Sequence, residues 1–169
     1  GPGGLKSGGK VQQMVANIDV APTLLAAAGS SIPDSMDGRN FLPLAARAPS
    51  GEKVEWRQEL LYEYYWERNY PQTPTVHALR GERFKYIRYH GVWDIDELYD
   101  LESDPREQKN LINDPAYKGQ VEEMNKRLFA QLETTSGMSI PLLGDRGRQF
   151  YHRKIDGGNG APFPSWFYR

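Results

Sequence analysis

The chain has 169 residues, with 21 Lys plus Arg against 22 Asp plus Glu, three His and no Cys. A formal net charge of −1 lacks the basic footprint of a nucleic-acid binder, and no apolar run approaches the roughly 20 residues that span a bilayer. Without cysteine there is no disulfide framework, thiolate metal site or cysteine nucleophile.

Residues Gly1 to Lys10 hold five Gly and one Pro, with no charged stretch leading into an apolar one, so no secretory signal is expected there. The missing initiator Met points to a chain cut from a longer protein. The run from Asp19 to Gly29 carries helix punctuation: Asp19 as N-cap, Pro22 in the first turn and Gly29 just past the end. Its apolar residues Val20, Leu24, Leu25 and Ala28 recur near helical spacing, which predicts one face in need of a partner. From Ser30 to Pro49 neither period holds, and an irregular connection anchored by Met36, Phe41 and Leu44 is expected.

Leu60 to Trp66 is dense in aromatic residues and reads as a strand, broken by Tyr70-Pro71-Gln72-Thr73-Pro74. Thr75–Arg80 and Arg83–Tyr89 flank Gly81-Glu82, which predicts a hairpin with Gly81 at positive φ. Glu97–Leu101 gives a fourth strand. The helix that covers this sheet is expected from Tyr117 to about Thr134, where Tyr117, Val121, Met124, Leu128 and Leu132 share a face; Asp114-Pro115 opens it and Gly137 closes it. The tail from Met138 to Arg169 is aromatic without regular period and reads as a segment lying across a surface. The fold class is therefore α+β: about four antiparallel strands under a C-terminal helix.

Complete catalytic sets are missing: there is no phosphate-binding glycine loop, no Gly-x-Ser-x-Gly elbow and no His-Glu-x-x-His pair. His77, His90 and His152 have no metal-site spacing, and Asp94, Asp96, Glu97 and Asp100 read as turn and edge residues that strand alternation points to different faces.

Two ordered blocks nevertheless resemble one family. Asn17-Ile18-Asp19-Val20-Ala21-Pro22-Thr23-Leu24-Leu25, followed by Gly29, Pro33 and Asp37-Gly38-Arg39, resembles the last block of the sulfatase catalytic domain. Ala78-Leu79-Arg80, Arg83-Phe84-Lys85-Tyr86-Ile87 and Leu98-Tyr99-Asp100-Leu101-Glu102-Ser103-Asp104-Pro105 with Asn110-Leu111 resemble the small C-terminal subdomain of the same enzymes. The resemblance implies residues 1–49 as the edge of an α/β catalytic domain, 50–136 as the subdomain and 137–169 as an aromatic tail. It also implies a type I sulfatase of the alkaline phosphatase superfamily, working with a formylglycine nucleophile and calcium, in a periplasmic or extracellular setting. The aromatic stretches around Trp66 and Trp93 are similar to those of arylsulfatases and N-acetylglucosamine-6-sulfatases acting on sulfated glycans.

Formylglycine requires Cys or Ser in a Cys/Ser-x-Pro-x-Arg motif. The three Ser-x-Pro triplets, at Ser31, Ser103 and Ser139, carry Ser35, Glu107 and Leu143 in place of the Arg. The expectation is a C-terminal fragment, inactive alone, that binds neither group itself and whose partner is the N-terminal catalytic domain. Its orphaned apolar face would favour self-association. The substrate would be a sulfated glycan or aryl sulfate; no nucleic acid or membrane is expected. His77, whose imidazole can donate to a sulfate or sugar oxygen, with Arg80 and Trp93, are the candidate substrate contacts. Arg80 and Lys85 are alternatively placed to pair with Glu63 across the sheet. Two other functions remain open at this point: a phosphodiesterase or phosphotransferase of the same superfamily, and a non-catalytic carbohydrate-binding or interaction module.

Overall fold

The computed structural model describes residues 10–47, 54–65, 73–90, 95–135, 137–141, 160–163, 165 and 168. The chain divides into two compact units, Gly1–Gln58 and Glu59–Arg169.

In the first unit, a single helical turn Asn17–Asp19 runs into α1 (Val20–Ala27). Its C-terminus follows the sequence expectation. Gly29 takes φ +72°, and the amides of Ser30 and Gly29 donate to the carbonyls of Leu25 and Ala26, closing the last turn. The N-terminus does not. Asp19 makes no capping bond to the first turn of α1; its carboxylate turns away to Ala16, Arg39 and Arg57, because a guanidinium and two amides offer more than a cap amide. The stretch expected to be irregular contains a short helix, α2 (Leu42–Arg47), with Pro43 tolerated in its first turn and Leu44 buried.

The second unit is a four-stranded antiparallel sheet in the order β1 (Leu60–Tyr64), β2 (Val76–Arg80), β3 (Phe84–Tyr89), β4 (Glu97–Asp100). The registers Leu61↔Leu79, Leu79↔Tyr86 and Tyr86↔Leu98 line one apolar row across all four strands. Over this row lies α3 (Lys118–Thr134), which contributes Met124, Leu128, Phe129 and Leu132; Leu79, Leu98, Leu128 and Leu132 are fully buried, each burial contributing about 1.5–3 kcal/mol. Asp114 starts the approach to α3 by accepting from the Ala116 amide, as its position before Pro115 predicts.

The hairpin turn is displaced by one residue from its expected place. Gly81 donates to the Phe84 carbonyl, so Glu82 and Arg83 are the central residues and Gly81 does not take a positive φ. The tail also holds structure: β5 (Ser139–Pro141) pairs antiparallel with β6 (Gly160–Pro162), and Phe163, just after β6, joins the core. Periodicity cannot reveal strands of three residues.

Candidate functional site

Strand alternation gives the sheet two chemically different faces. On the face under α3, one register step from the apolar row toward the ends of β1 and β3, Glu63, His77 and Arg88 lie side by side. His77 is fully buried, with Nδ1 2.8 Å from His90 Nε2, while its Nε2 has no hydrogen-bond partner among the described residues and stands 3.9 Å from Glu63 Oε1. Tyr65 donates to Glu63, and its ring meets His77 edge-on at 5.6 Å. Gly137 makes room for this corner: a Cβ there would lie 3.0 Å from Glu63 Oε1 and 2.8 Å from Leu132 Cδ2. Arg88 donates to Asn125 of α3 and to the Tyr86 hydroxyl, and lies 3.7 Å from Asp96.

The electrostatics of this row are set by exclusion of water. Burial pushes His77 down to about 4 and His90 down to about 3, the latter helped by the neighbouring His77 and Arg88. Burial likewise pushes the Tyr65 hydroxyl up to about 12. Both imidazoles are therefore neutral at pH 7, and their shared hydrogen bond needs one donor and one acceptor nitrogen.

The opposite face is an open groove lined by Leu60, Tyr62, Tyr64, Val76, Arg80 and Lys85, among others, with a volume of about 630 Å³. Arg80 lies here, three positions along β2 from His77 and on the other side of the sheet, so the two expected substrate contacts do not converge. The Arg80 guanidinium donates to the Gly81 carbonyl, and Lys85 pairs with Glu107. Neither reaches Glu63, which alternation places on the covered face. Trp93, the third expected contact, lies outside the described residues, as do Trp66, Asp94 and His152.

The acidic cluster divides as expected of alternation. Glu97 accepts from the hydroxyls of Tyr89 and Tyr99. Asp100 is buried and accepts from Arg83 through two nitrogens and from the Glu102 amide, and Arg83 foremost holds its carboxyl at about 2. Asp104 then accepts from the amides of Gln108 and Lys109, while Asn110 accepts from Leu98 and Ile112 and donates to the Asp96 carbonyl. The Leu-Tyr-Asp-Leu segment and its sequel thus close a turn onto the edge of β4; their chemistry is structural.

Among the described residues no three His, Asp or Glu side chains come together to hold a metal ion. Ser103 bonds the Asp100 carbonyl, and Ser139 is fully buried in β5.

A four-stranded antiparallel sheet backed by one long helix is a fold this chain shares with solved sulfatases of the alkaline phosphatase superfamily. The chain belongs to the family described as N-sulphoglucosamine sulphohydrolase, C-terminal, whose profile matches residues 1–134. It is 30% identical over 137 residues to an N-acetylglucosamine-6-O-sulfatase of Bacteroides thetaiotaomicron, covering 79% of this chain and 23% of that protein. To an ulvan-active sulfatase of Formosa agariphila it is 27% identical over 187 residues, covering 90% and 36%. A solved protein in complex with its substrate D-glucosamine-2-N,6-O-disulfate superimposes with a TM-score of 0.66 at 27% identity, covering 76% of this chain and 26% of that one. The chain thus spans roughly a quarter to a third of the length of these relatives.

Proposed function

We propose that this chain is the C-terminal part of an enzyme that hydrolyses sulfate esters of carbohydrates, and that by itself it is catalytically inactive. The observation that carries the reading is the match over residues 1–134, joined by the fold's likeness to a protein solved with a disulfated glucosamine. The nucleophile and calcium ligands belong, in this reading, to a catalytic domain preceding these residues, and the protein works in the periplasm or outside the cell. Within the described residues no helix is long and apolar enough to cross a membrane.

The contribution of this chain is positional. In sequence Trp66 follows β1 and Trp93 follows β3, and aromatic side chains suit the apolar faces of sugars. Arg80 on the open face supplies a permanent cation for an anionic sugar. His77 serves a ligand only when the side chains that bury it move aside.

The test is sulfate release by the full-length protein from 6-sulfated N-acetylglucosamine and from an aryl sulfate, beside phosphodiester and phosphonate substrates. Sulfate release from the sugar supports the reading; hydrolysis of the phosphorus esters alone overturns it. The 169-residue chain with added calcium should release no sulfate, and turnover abolished by substituting one of its serines would overturn the inactivity.

A further inference from the structure

The open face of the sheet is hollowed at one small residue. Ala78, at the centre of β2, faces Tyr62 of β1 and Ile87 of β3 across the register, with Val76 and Arg80 two positions away along its own strand. A methyl group among four larger side chains leaves a low floor, and all four neighbours line the groove. Its volume of about 630 Å³ lies within the roughly 300–1,000 Å³ of small-ligand sites.

The charges in the groove leave one cation over. Lys85, opposite Arg80 in the register, is neutralised by Glu107, which lines the same groove. Arg80 makes no ion pair among the described residues; it donates to the Gly81 carbonyl and keeps the rest of its donor fork unspent. Glu63 lies on the covered face. Glu97 shares the open face but sits two strands away on β4, where it accepts from the hydroxyls of Tyr89 and Tyr99. Tyr62, beside the floor, is 55% exposed, and its hydroxyl has no hydrogen-bond partner among the described residues.

We propose that this groove binds a sulfated sugar unit of a glycan, with the sulfate on Arg80 and the apolar face of the sugar ring on Tyr62. A guanidinium fork engages two oxygens of an oxyanion at once, and a tyrosine offers both a flat apolar ring and a polar tip. Ala78 supplies the depth that lets one ligand reach both. The choice of sulfate among anions rests on the reading that the whole protein acts on sulfated carbohydrates.

Titration of the 169-residue chain with 6-sulfated N-acetylglucosamine, followed by NMR, tests this beside two controls, plain N-acetylglucosamine and inorganic sulfate. Signals of Tyr62, Ala78 and Arg80 should shift saturably while those of Met124 and Leu128 on α3 stay in place. Each control should bind at least about tenfold more weakly. Arg80→Gln, which removes the cation, and Ala78→Leu, which fills the floor, should each weaken binding by about tenfold or more, with Arg80→Lys falling between. Tyr62→Ala, at an exposed position, gives the same reading should Ala78→Leu disturb the sheet. The proposal is overturned if those residues show no saturable shift, if inorganic sulfate binds equally well, or if Arg80→Gln binds as the parent does. It is also overturned if Ala78→Leu and Arg80→Gln alter sedimentation and leave sugar binding alone, which would assign the groove to a second copy of the chain. Sulfate release by the full-length protein is read separately: release without binding here removes the groove and leaves the enzymatic reading standing, and binding without release does the reverse.

Discussion

Arg57 grips the carboxylate of Asp19 with both terminal guanidinium nitrogens, across 38 residues of sequence. Asp19 is fully buried and Arg57 nearly so, and the carboxylate also accepts from the amides of Ala16 and Arg39. Thr23 extends the arrangement: its hydroxyl donates to the Asp19 carbonyl and accepts from the Phe41 amide. Burial alone would raise the carboxyl's pKa; the Arg57 guanidinium and the two amides outweigh it and hold the group below its usual range.

Arg57→Ala should therefore destabilise the first unit by about 3–5 kcal/mol, since it strands a buried charge. Urea unfolding measures this. Arg57→Lys should recover only part of the loss, because an ammonium cannot reproduce the two-pronged contact. An R57A chain with an unchanged midpoint would show that the pair contributes nothing net.

Asp100 leads to a pH prediction with a definite sign. Its folded pKa of about 2 lies below the model-peptide value near 3.9, so its stabilising effect is complete above about pH 4 and is lost as the pH falls through about 2. Asp100→Asn should cost about 1–3 kcal/mol at pH 7 and should flatten the acid limb of a stability profile. Arg83→Ala should cost less than Asp100→Asn, because the Arg83 side chain is 54% exposed and water takes over part of its role.

Two glycines should respond in opposite directions to the same substitution. At Gly38 an added Cβ would sit 1.9 Å from the Ile18 carbonyl oxygen, which is backbone and cannot swing away. Gly38→Ala should lower the stability of the first unit by more than about 2 kcal/mol. Gly119, early in α3, has nothing within 4 Å, so Gly119→Ala should stabilise the second unit by up to about 1 kcal/mol. Thermal unfolding of the two variants decides both signs.

The apolar face of α1 suggests how the isolated chain behaves in solution. Ile18, just ahead of α1, and Val20 and Leu24, one turn apart on it, are 43%, 48% and 64% exposed, and such apolar side chains favour a partner surface. Sedimentation velocity should show concentration-dependent self-association of the 169-residue chain, abolished by Val20→Glu with Leu24→Glu. A monomer at all concentrations would remove this role from α1.

Much of the second unit was legible in the residues because its signals are periodic. The alternation of Phe84, Tyr86 and Arg88 and the helical spacing of Met124, Leu128 and Leu132 report burial directly, and those residues do face one core. The misreadings lie where a residue type has two good uses. Aspartate before a helix usually caps it, but at Asp19 a guanidinium 38 positions away competes for the same oxygens, and no local pattern announces such a partner. Phe163 follows strands too short for periodicity, so its place in the core could not be anticipated. His77 looked like a ligand-facing donor for its chemistry; strand parity decides its face, and that parity shows only once the neighbouring strands are in register.

The grip on Asp19 has a consequence for the length of the chain around it. Because the Arg39 amide is tied to Asp19 and Gly38 is pressed against Ile18, the segment from Ser30 to Asp37 is a loop whose two ends are fastened independently of its contents. Closure of such a loop depends only logarithmically on the number of residues within it, so doubling its length costs about 0.6 kcal/mol. An epitope or a small domain grafted between Ser31 and Ser35 should leave α1 and its clamp standing, which makes this loop the natural place to label the first unit without unfolding it.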